Sequence, residues 1–432
     1  MNSEAGNDKY LQEDLDGIAA SKIVTDNPDR FLGASVLVTG ATGLIGSLLV
    51  KSFAAISREN DLHMTIFPVI RSREKATQVY GEEFLQREDV RLIEADITER
   101  GFVEDVTRQV GSDSGHRFDA ADRRDLSPET AESPNLDEGS DPSANLAVAK
   151  APARGDITNV SVGGEETPAD ISINYIFHAA AVTTSKVMVT HPIGTIDAAI
   201  TGTKNLLELA AAAHTKSFVY ISSMEVYGDM SVYGSDPEAT MARENRLGFI
   251  DPMVVRSNYP ESKRMCENLC AAYLSEKGVP AKIARLAQTF GAGILPWEKR
   301  VFAQFAAAAM TGEDIVLHTK GCSEGNYCYS ADCMRGLLTI LLNGADGEAY
   351  NVANEACHTT IAGMAQLVAE TIAGGKIRVA FDIPETNTYG YAADTKLTLD
   401  STKLRQLGWQ PEVGLEEMYR RTIGSMECRQ RA

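Results

Sequence analysis

The stretch Ala34-Ser35-Val36-Leu37-Val38-Thr39 runs straight into Gly40-Ala41-Thr42-Gly43-Leu44-Ile45-Gly46, and no other feature of the chain restricts its fold so tightly. A short β-branched apolar run reads as a buried parallel strand, and the residues from Leu44 to Ile56 read as a helix. Glycine between the two permits a tight turn and close backbone approach, while the free N–H groups of a helix start suit a pyrophosphate. The spacing is GxxGxxG rather than GxGxxG, so the turn alone could equally be a packing corner. With a strand before it and a helix after it, a dinucleotide site is the better reading. Further strands are predicted at Met64–Ile70, Val90–Ala95, Tyr175–Phe177, Ser217–Ile221 and Ala281–Arg285. Helices are predicted at Gly194–Ala213 and from Tyr259 to about Lys277. Strands alternating with helices predict an α/β fold: a Rossmann-type doubly wound parallel sheet with a smaller C-terminal substrate-binding lobe.

The expected division is an N-terminal extension at 1–33, a dinucleotide-binding domain at 34–290 and, mainly, the substrate lobe at 291–432. Tyr10, Leu11, Leu15 and Ile18 suggest a short amphipathic helix within the extension. From about 111 to 170 the strand–helix pattern stops. Between 101 and 170 there are fifteen Asp and Glu against six Lys and Arg, a net −9 out of the chain's −19. Such a stretch buries too little apolar surface to offset its ordering entropy, and a disordered acidic insertion is expected there. The acidic excess argues against nucleic acid or an anionic membrane as partner, though a local site can still be positive. No run of eighteen apolar residues exists, and the first thirty residues lack the basic start and apolar core of a signal peptide. Seven scattered cysteines without a CxxC pair suggest neither a metal site nor a disulfide framework, and a cytoplasmic location is expected.

A second constellation is Tyr259-Pro260-Glu261-Ser262-Lys263, opening a helix that places Tyr259 and Lys263 on one face. A neighbouring ammonium and an oxidised nicotinamide would both favour the phenolate, making Tyr259 a usable base near neutrality. The strand ending Ile221-Ser222-Ser223 supplies a hydroxyl beside the reacting oxygen.

With the glycine turn, Asp96-Ile97, His178-Ala179-Ala180-Ala181, the SSMEVYGD stretch from Ser222, YPESK from Tyr259 and RLAQTFG from Arg285, the chain resembles the extended short-chain dehydrogenase/reductase family, in its nucleotide-sugar epimerase/dehydratase branch. The resemblance covers roughly 34–100 and 172–425. It is nearest to UDP-glucuronate decarboxylases, with dTDP-glucose 4,6-dehydratases next. It implies catalytic roles for Ser223, Tyr259 and Lys263, and a pyrophosphate grip at Gly40, Thr42, Gly43, Leu44, Ile45 and Gly46. It also sets Asp96 and Ile97 against adenine and has Ala179, Ala180 and Ala181 line the cofactor. Such enzymes remove hydride from C4 of a sugar, and many are homodimers paired through two helices per subunit. The 4,6-dehydratases follow the catalytic hydroxyl with an Asp-Glu pair; here those positions are Met224 and Glu225. A thioether cannot donate a proton, so full dehydration is disfavoured while Glu225 remains a candidate catalytic carboxylate, or else a solvated or salt-bridged acid.

Two departures bear on the substrate. Gln288 replaces the asparagine that usually contacts the sugar-nucleotide diphosphate, and Gly325 stands where an arginine clamp is expected. Arg256 and Arg300 are the candidates to replace that clamp. The cofactor reads as NAD(P): the resemblance favours NAD, while Arg71 and Arg73 after the second strand, with no acid between, lean toward NADP. Two other readings compete with a nucleotide-sugar enzyme. One is an NADP-dependent reductase of a non-sugar carbonyl, and the other is a cofactor-sensing protein without catalysis.

Overall fold

The computed structural model describes residues 4–111, 172–384 and 395–431. The expected acidic insertion falls outside these, beyond a helix at Phe102–Gly111. Strands are β1 (Ser35–Thr39), β2 (Thr65–Ile70), β3 (Ile93–Glu94), β4 (Tyr175–His178), β5 (Ser217–Ser223), β6 (Ala281–Leu286), β7 (Gln288–Phe290), β8 (Ile315–Leu317), β9 (Glu324–Tyr329), β10 (Ala349–Val352), β11 (Asn354–Thr360) and β12 (Val379–Phe381). Seven of them make one sheet in the order β10-β6-β5-β4-β1-β2-β3, and every neighbouring pair is parallel. The chain winds outward from β1 through β2 to β3, then crosses back to place β4 on β1's other side. That reversal opens a crevice at the carboxyl ends of β1 and β4, the place where such sheets take ligands.

Both faces of the sheet are covered, which is why β1 and the end of β2 read as unbroken apolar runs. Helices Leu44–Glu59 and Ser330–Asn343 pack on one face, helices Pro192–Ala212 and Asn258–Lys277 on the other. An N-terminal helix, Lys9–Ala19, is capped by the Asp8 carboxylate, which accepts from the Leu11 N–H at 3.0 Å. It buries Leu11, Leu15, Ile18 and Ala19 against helix 44–59. The third strand is shorter than its apolar run predicted. As the edge strand it pairs with β2 only at Ile93 and Glu94, and Val90 keeps one isolated bridge to Ile66.

Past residue 290 the chain builds a three-stranded sheet, β11-β9-β7, and a two-stranded one, β12-β8. It also returns to the main sheet, where β10 closes the edge beyond β6 and helix 330–343 covers β5 and β6. Among the described residues no helix is long and apolar enough to cross a membrane.

Candidate active site

The glycine turn is locked against the exit of β4. Gly40 has φ +64°, and a Cβ there would lie 2.7 Å from the Ala180 backbone. A Cβ on Gly46 would fall 2.2 Å from the Gly40 carbonyl, so the first helical turn rests directly on the loop. Thr42, Leu44 and Ile45 complete this segment, and Ala179, Ala180 and Ala181 are partly exposed beside it. Helix 44–59 has Gly43 at its N-cap and no side chain capping its first N–H groups, which leaves them to a ligand. Small residues, a left-handed glycine and an uncapped helix start together fit a dinucleotide pyrophosphate.

Beneath the turn runs a buried polar column that the sequence motifs contain but do not explain. The Thr39 hydroxyl meets His178 Nδ1 at 2.8 Å, His178 Nε2 meets the Thr203 hydroxyl at 3.1 Å, and Thr203 donates to Cys266 Sγ at 3.2 Å. The column ties the end of β1 to β4 and to both helices of the opposite face. Burial pulls the His178 imidazole down to about 3, helped by the charge of Lys263. His178 immediately precedes the alanines of the HAAA stretch, and its fixed distance from Thr39 across two adjacent strands was the available signal.

Just past the third strand, Asp96 accepts from the Thr98 N–H and hydroxyl at 2.9 and 2.8 Å. Arg71 Nη1 lies 3.9 Å from Asp96, and Arg73 Nη1 lies 3.6 Å from Glu94. The two arginines therefore already face carboxylates. Ile97 points instead at helix 192–212, where a Cβ on Gly202 would strike its side chain at 2.5 Å.

β5 carries Ser223 at its end, and the following turn carries Glu225, whose N–H donates to the Ser223 hydroxyl at 3.2 Å. The Ser223 hydroxyl is within hydrogen-bonding reach of the Tyr259 phenol. Arg256, one turn ahead of Tyr259, donates from Nη2 to both Glu225 oxygens at 3.1 and 3.0 Å and lies 5.8 Å from the Tyr259 ring centre. Glu225 is thus ion-paired, with its side chain still 37% exposed. Gln288, half-buried, sits two residues past Leu286, the register partner of Ser223. Arg300 is exposed and paired with Glu298 at 2.6 Å, yet its charge reaches Tyr259.

The acid–base state differs from the sequence expectation. Tyr259 is pushed up to about 12, first by burial and then by the Glu225 carboxylate; the Ser223 hydrogen bond, Arg256 and Arg300 pull the other way. Lys263 stands one turn further along the helix. Its ammonium donates to the Ile221 carbonyl at 2.6 Å and lies over the Tyr220 ring, 4.7 Å from its centre, while the Tyr259 ring centre is 5.9 Å away. Burial draws Lys263 down to about 8.

A further support escaped the sequence motifs. Glu267, inside helix 258–277, accepts from the Ser222 hydroxyl at 2.6 Å and from Arg285 at 3.0 and 2.7 Å. Arg285 also donates to the Tyr227 hydroxyl at 3.1 Å and to the Glu244 carbonyl at 3.0 Å. This nearly buried ion pair fixes the strand end on which Ser223 sits.

The model of the NAD dependent epimerase/dehydratase family matches residues 112–353. UDP-glucuronic acid decarboxylase 1 of Danio rerio is 30% identical over 257 residues, which cover 59% of this chain and 58% of that protein. The chain therefore spans less than two thirds of the length of the curated relatives it matches first. Among solved structures, epimerase Mth375 of Methanothermobacter thermautotrophicus superposes with a TM-score of 0.66 at 19% identity, covering 95% of this chain and 96% of its own. UDP-glucuronic acid 4-epimerase of Bacillus cereus, solved with UDP-glucuronic acid and NAD, gives 0.63 at 17% identity, over 92% of this chain and all of its own. At such identities the likeness is one of fold.

Proposed function

The chain belongs to the NAD dependent epimerase/dehydratase family, and on that premise we propose that it transforms a nucleotide-activated sugar through transient oxidation at C4, with a UDP-glucuronate decarboxylase-like outcome. The observation that carries this reading is Ser223, Glu225 and Tyr259 gathered at one strand end, with Arg256 clamped on Glu225. When bound, an oxidised nicotinamide would supply the hydride acceptor and a positive charge that favours ionisation of a nearby phenol. Tyr259 takes the proton of the sugar hydroxyl, and Ser223 holds that oxygen by a second hydrogen bond. Glu225 serves the step after oxidation, once Arg256 turns from it to an anionic group of the substrate. Met224 supplies no proton, which sets 4,6-dehydration aside.

We assign NAD rather than NADP, because Asp96 and Glu94 already face Arg71 and Arg73 and would repel a 2′-phosphate. The partner we infer is a second copy of this chain. Helices 192–212 and 258–277 leave Ile193, 73% exposed, with Ile196 and Met265 as an apolar face that pairing would cover. The seven free thiols, Cys322 exposed, suit a reducing cytoplasm.

Single-turnover kinetics with UDP-glucuronate tests the reading. Tyr259→Phe should abolish reduction of the nicotinamide. Glu225→Gln should leave reduction intact and block the step after it, so the absorbance of reduced nicotinamide accumulates. Full turnover by Glu225→Gln would overturn the decarboxylase-like outcome and leave C4 epimerisation, which needs no further carboxylate, in its place.

A further inference from the structure

We propose that the cleft between the N-terminal extension, helix Leu44–Glu59 and the C-terminal helix Leu415–Gln430 binds a phosphorylated small molecule, at a site separate from the sugar and cofactor. Two adjoining cavities of about 560 and 190 Å³ share Leu295, Pro296 and Arg429 as walls, and the larger is of small-molecule size. Lys51 lines the smaller, Lys299 the larger, and Arg429 stands between them. No residue of either wall is among those assigned above to the cofactor or the sugar.

The charge here runs against the rest of the molecule. The chain carries −19, yet three cations line this cleft with two carboxylates, Asp8 and Glu298. Glu298 is held by Arg300 at 2.6 Å. Asp8 already accepts from the Leu11 N–H at 3.0 Å and from the Ser425 hydroxyl. Among the described residues neither Lys51 nor Arg429 has an ion pair. Arg429 donates to the Ile294 carbonyl, and the Lys51 ammonium lies 5.8 Å from the Tyr80 ring centre. Burial draws both below their ordinary values, Lys51 to about 8; the Asp8 carboxylate offsets part of this for each without forming an ion pair, and the charge of Arg429 adds to the lowering of Lys51. Desolvated cations short of counter-charge are what an incoming anion relieves. A phosphate, with two charges and three acceptor oxygens, answers convergent Lys and Arg donors better than one carboxylate does. Leu48, Ala303 and Met426 offer an apolar wall for the organic part.

The cleft touches two segments that also reach the active site. Tyr80 donates to the Ala41 carbonyl of the glycine turn at 2.5 Å, and the wall from Ile294 to Lys299 leads into Arg300, whose charge is felt at Tyr259. An occupant is thus placed to bias both.

Inorganic pyrophosphate is the probe, applied to the full wild-type chain at mildly alkaline pH with NAD present throughout. Acylation of Lys51 by acetic anhydride, followed by peptide mass spectrometry, should slow roughly fivefold at several times the dissociation constant, while exposed Lys22 reacts unchanged. In calorimetry, Lys51→Met and Arg429→Met should each weaken pyrophosphate about tenfold, which corresponds to about 1.4 kcal/mol, and Lys51→Arg should retain it. Undiminished labelling of Lys51, or equal slowing at Lys22, overturns the proposal; the labelling needs no variant, so misfolding of a mutant cannot mask either outcome.

Discussion

The glycine cradle and the Ser223–Tyr259 pocket sit at strand ends of one sheet but are made of different material. The cradle is backbone against backbone: Gly46 on Gly40, Gly40 on Ala180, with no room for a methyl group. The pocket is side chain against side chain: Glu225 held by Arg256, Arg300 by Glu298, Ser222 by Glu267. Backbone contacts have one solution, so a cradle of this kind accepts a fixed ligand part, the pyrophosphate, without adjustment. Ion pairs can be exchanged for substrate charges, so a pocket of that kind can be retuned one residue at a time. The difference predicts where substitutions are fatal and where they shift specificity.

The sharpest break is Gly46→Val. Its Cβ would enter the Gly40 carbonyl, and overpacking of that order costs about 3 kcal/mol. NAD binding should vanish by titration, and the denaturant midpoint should fall. Gly194→Ala, in a helix where a Cβ meets nothing within 4 Å, is the control and should gain roughly 0.5–1 kcal/mol. A tolerated Gly46→Val would mean the turn is far looser than its contacts indicate.

The same contrast explains what the sequence disclosed. β1, the turn, β5 and helix 258–277 were legible because each obeys one local rule: apolar run, glycine spacing, strand ending in hydroxyls, Tyr and Lys one turn apart. Their pairing into a sheet followed from alternation of strands and helices. Ser223 and Tyr259 were nameable for the same reason, and Glu225 only through the resemblance to the 4,6-dehydratases. The Glu225–Arg256 pair was not, because 31 residues separate its members and neither carries a pattern. Lys263 was nameable from its helical spacing to Tyr259, but only packing shows that its ammonium also donates to the Ile221 carbonyl. Nor does any local rule announce that β10, from beyond residue 348, closes the sheet edge, since strand order is decided by long-range pairing.

On the pocket side, Gly325→Arg tests whether specificity there can be rewritten by a single side chain. A Cβ on Gly325 has open space, its nearest neighbour being the Leu397 carbonyl at 3.9 Å. Arginine at this point should tighten UDP about tenfold in calorimetry, the worth of roughly one charge-assisted hydrogen bond. Weaker binding would show that this strand face does not look onto the diphosphate. A smaller shift is expected of Asp96→Asn. It frees Arg71 from a pair that is mostly exposed and therefore worth under about 1 kcal/mol, so the NADP to NAD affinity ratio should rise only about threefold. An unchanged ratio would place the 2′-hydroxyl elsewhere.

A last test probes the cradle from below, through pH. His178 holds its imidazole neutral, with Thr39 on one nitrogen and Thr203 on the other. Its folded value is about 3 against an ordinary 6.5. The unfolded chain therefore takes up a proton near 6.5 that the folded chain refuses. This contribution to stability is complete above 6.5 and is lost steadily as pH falls toward about 3. Asp14 works in the opposite sense: burial raises it to about 6 from 3.8, so its share is complete below 3.8 and lost as pH rises through about 6. The wild-type curve is thus a difference of slopes, and a variant is needed to isolate one of them. His178→Gln keeps a hydrogen-bonding group and should cost about 1 kcal/mol at neutral pH. More tellingly, its melting temperature should decline less than the wild type's over the acid limb between 6.5 and 3. Parallel curves for the two proteins would mean that His178 accepts its proton while folded, and that the column beneath the turn opens to solvent before the cradle itself is lost.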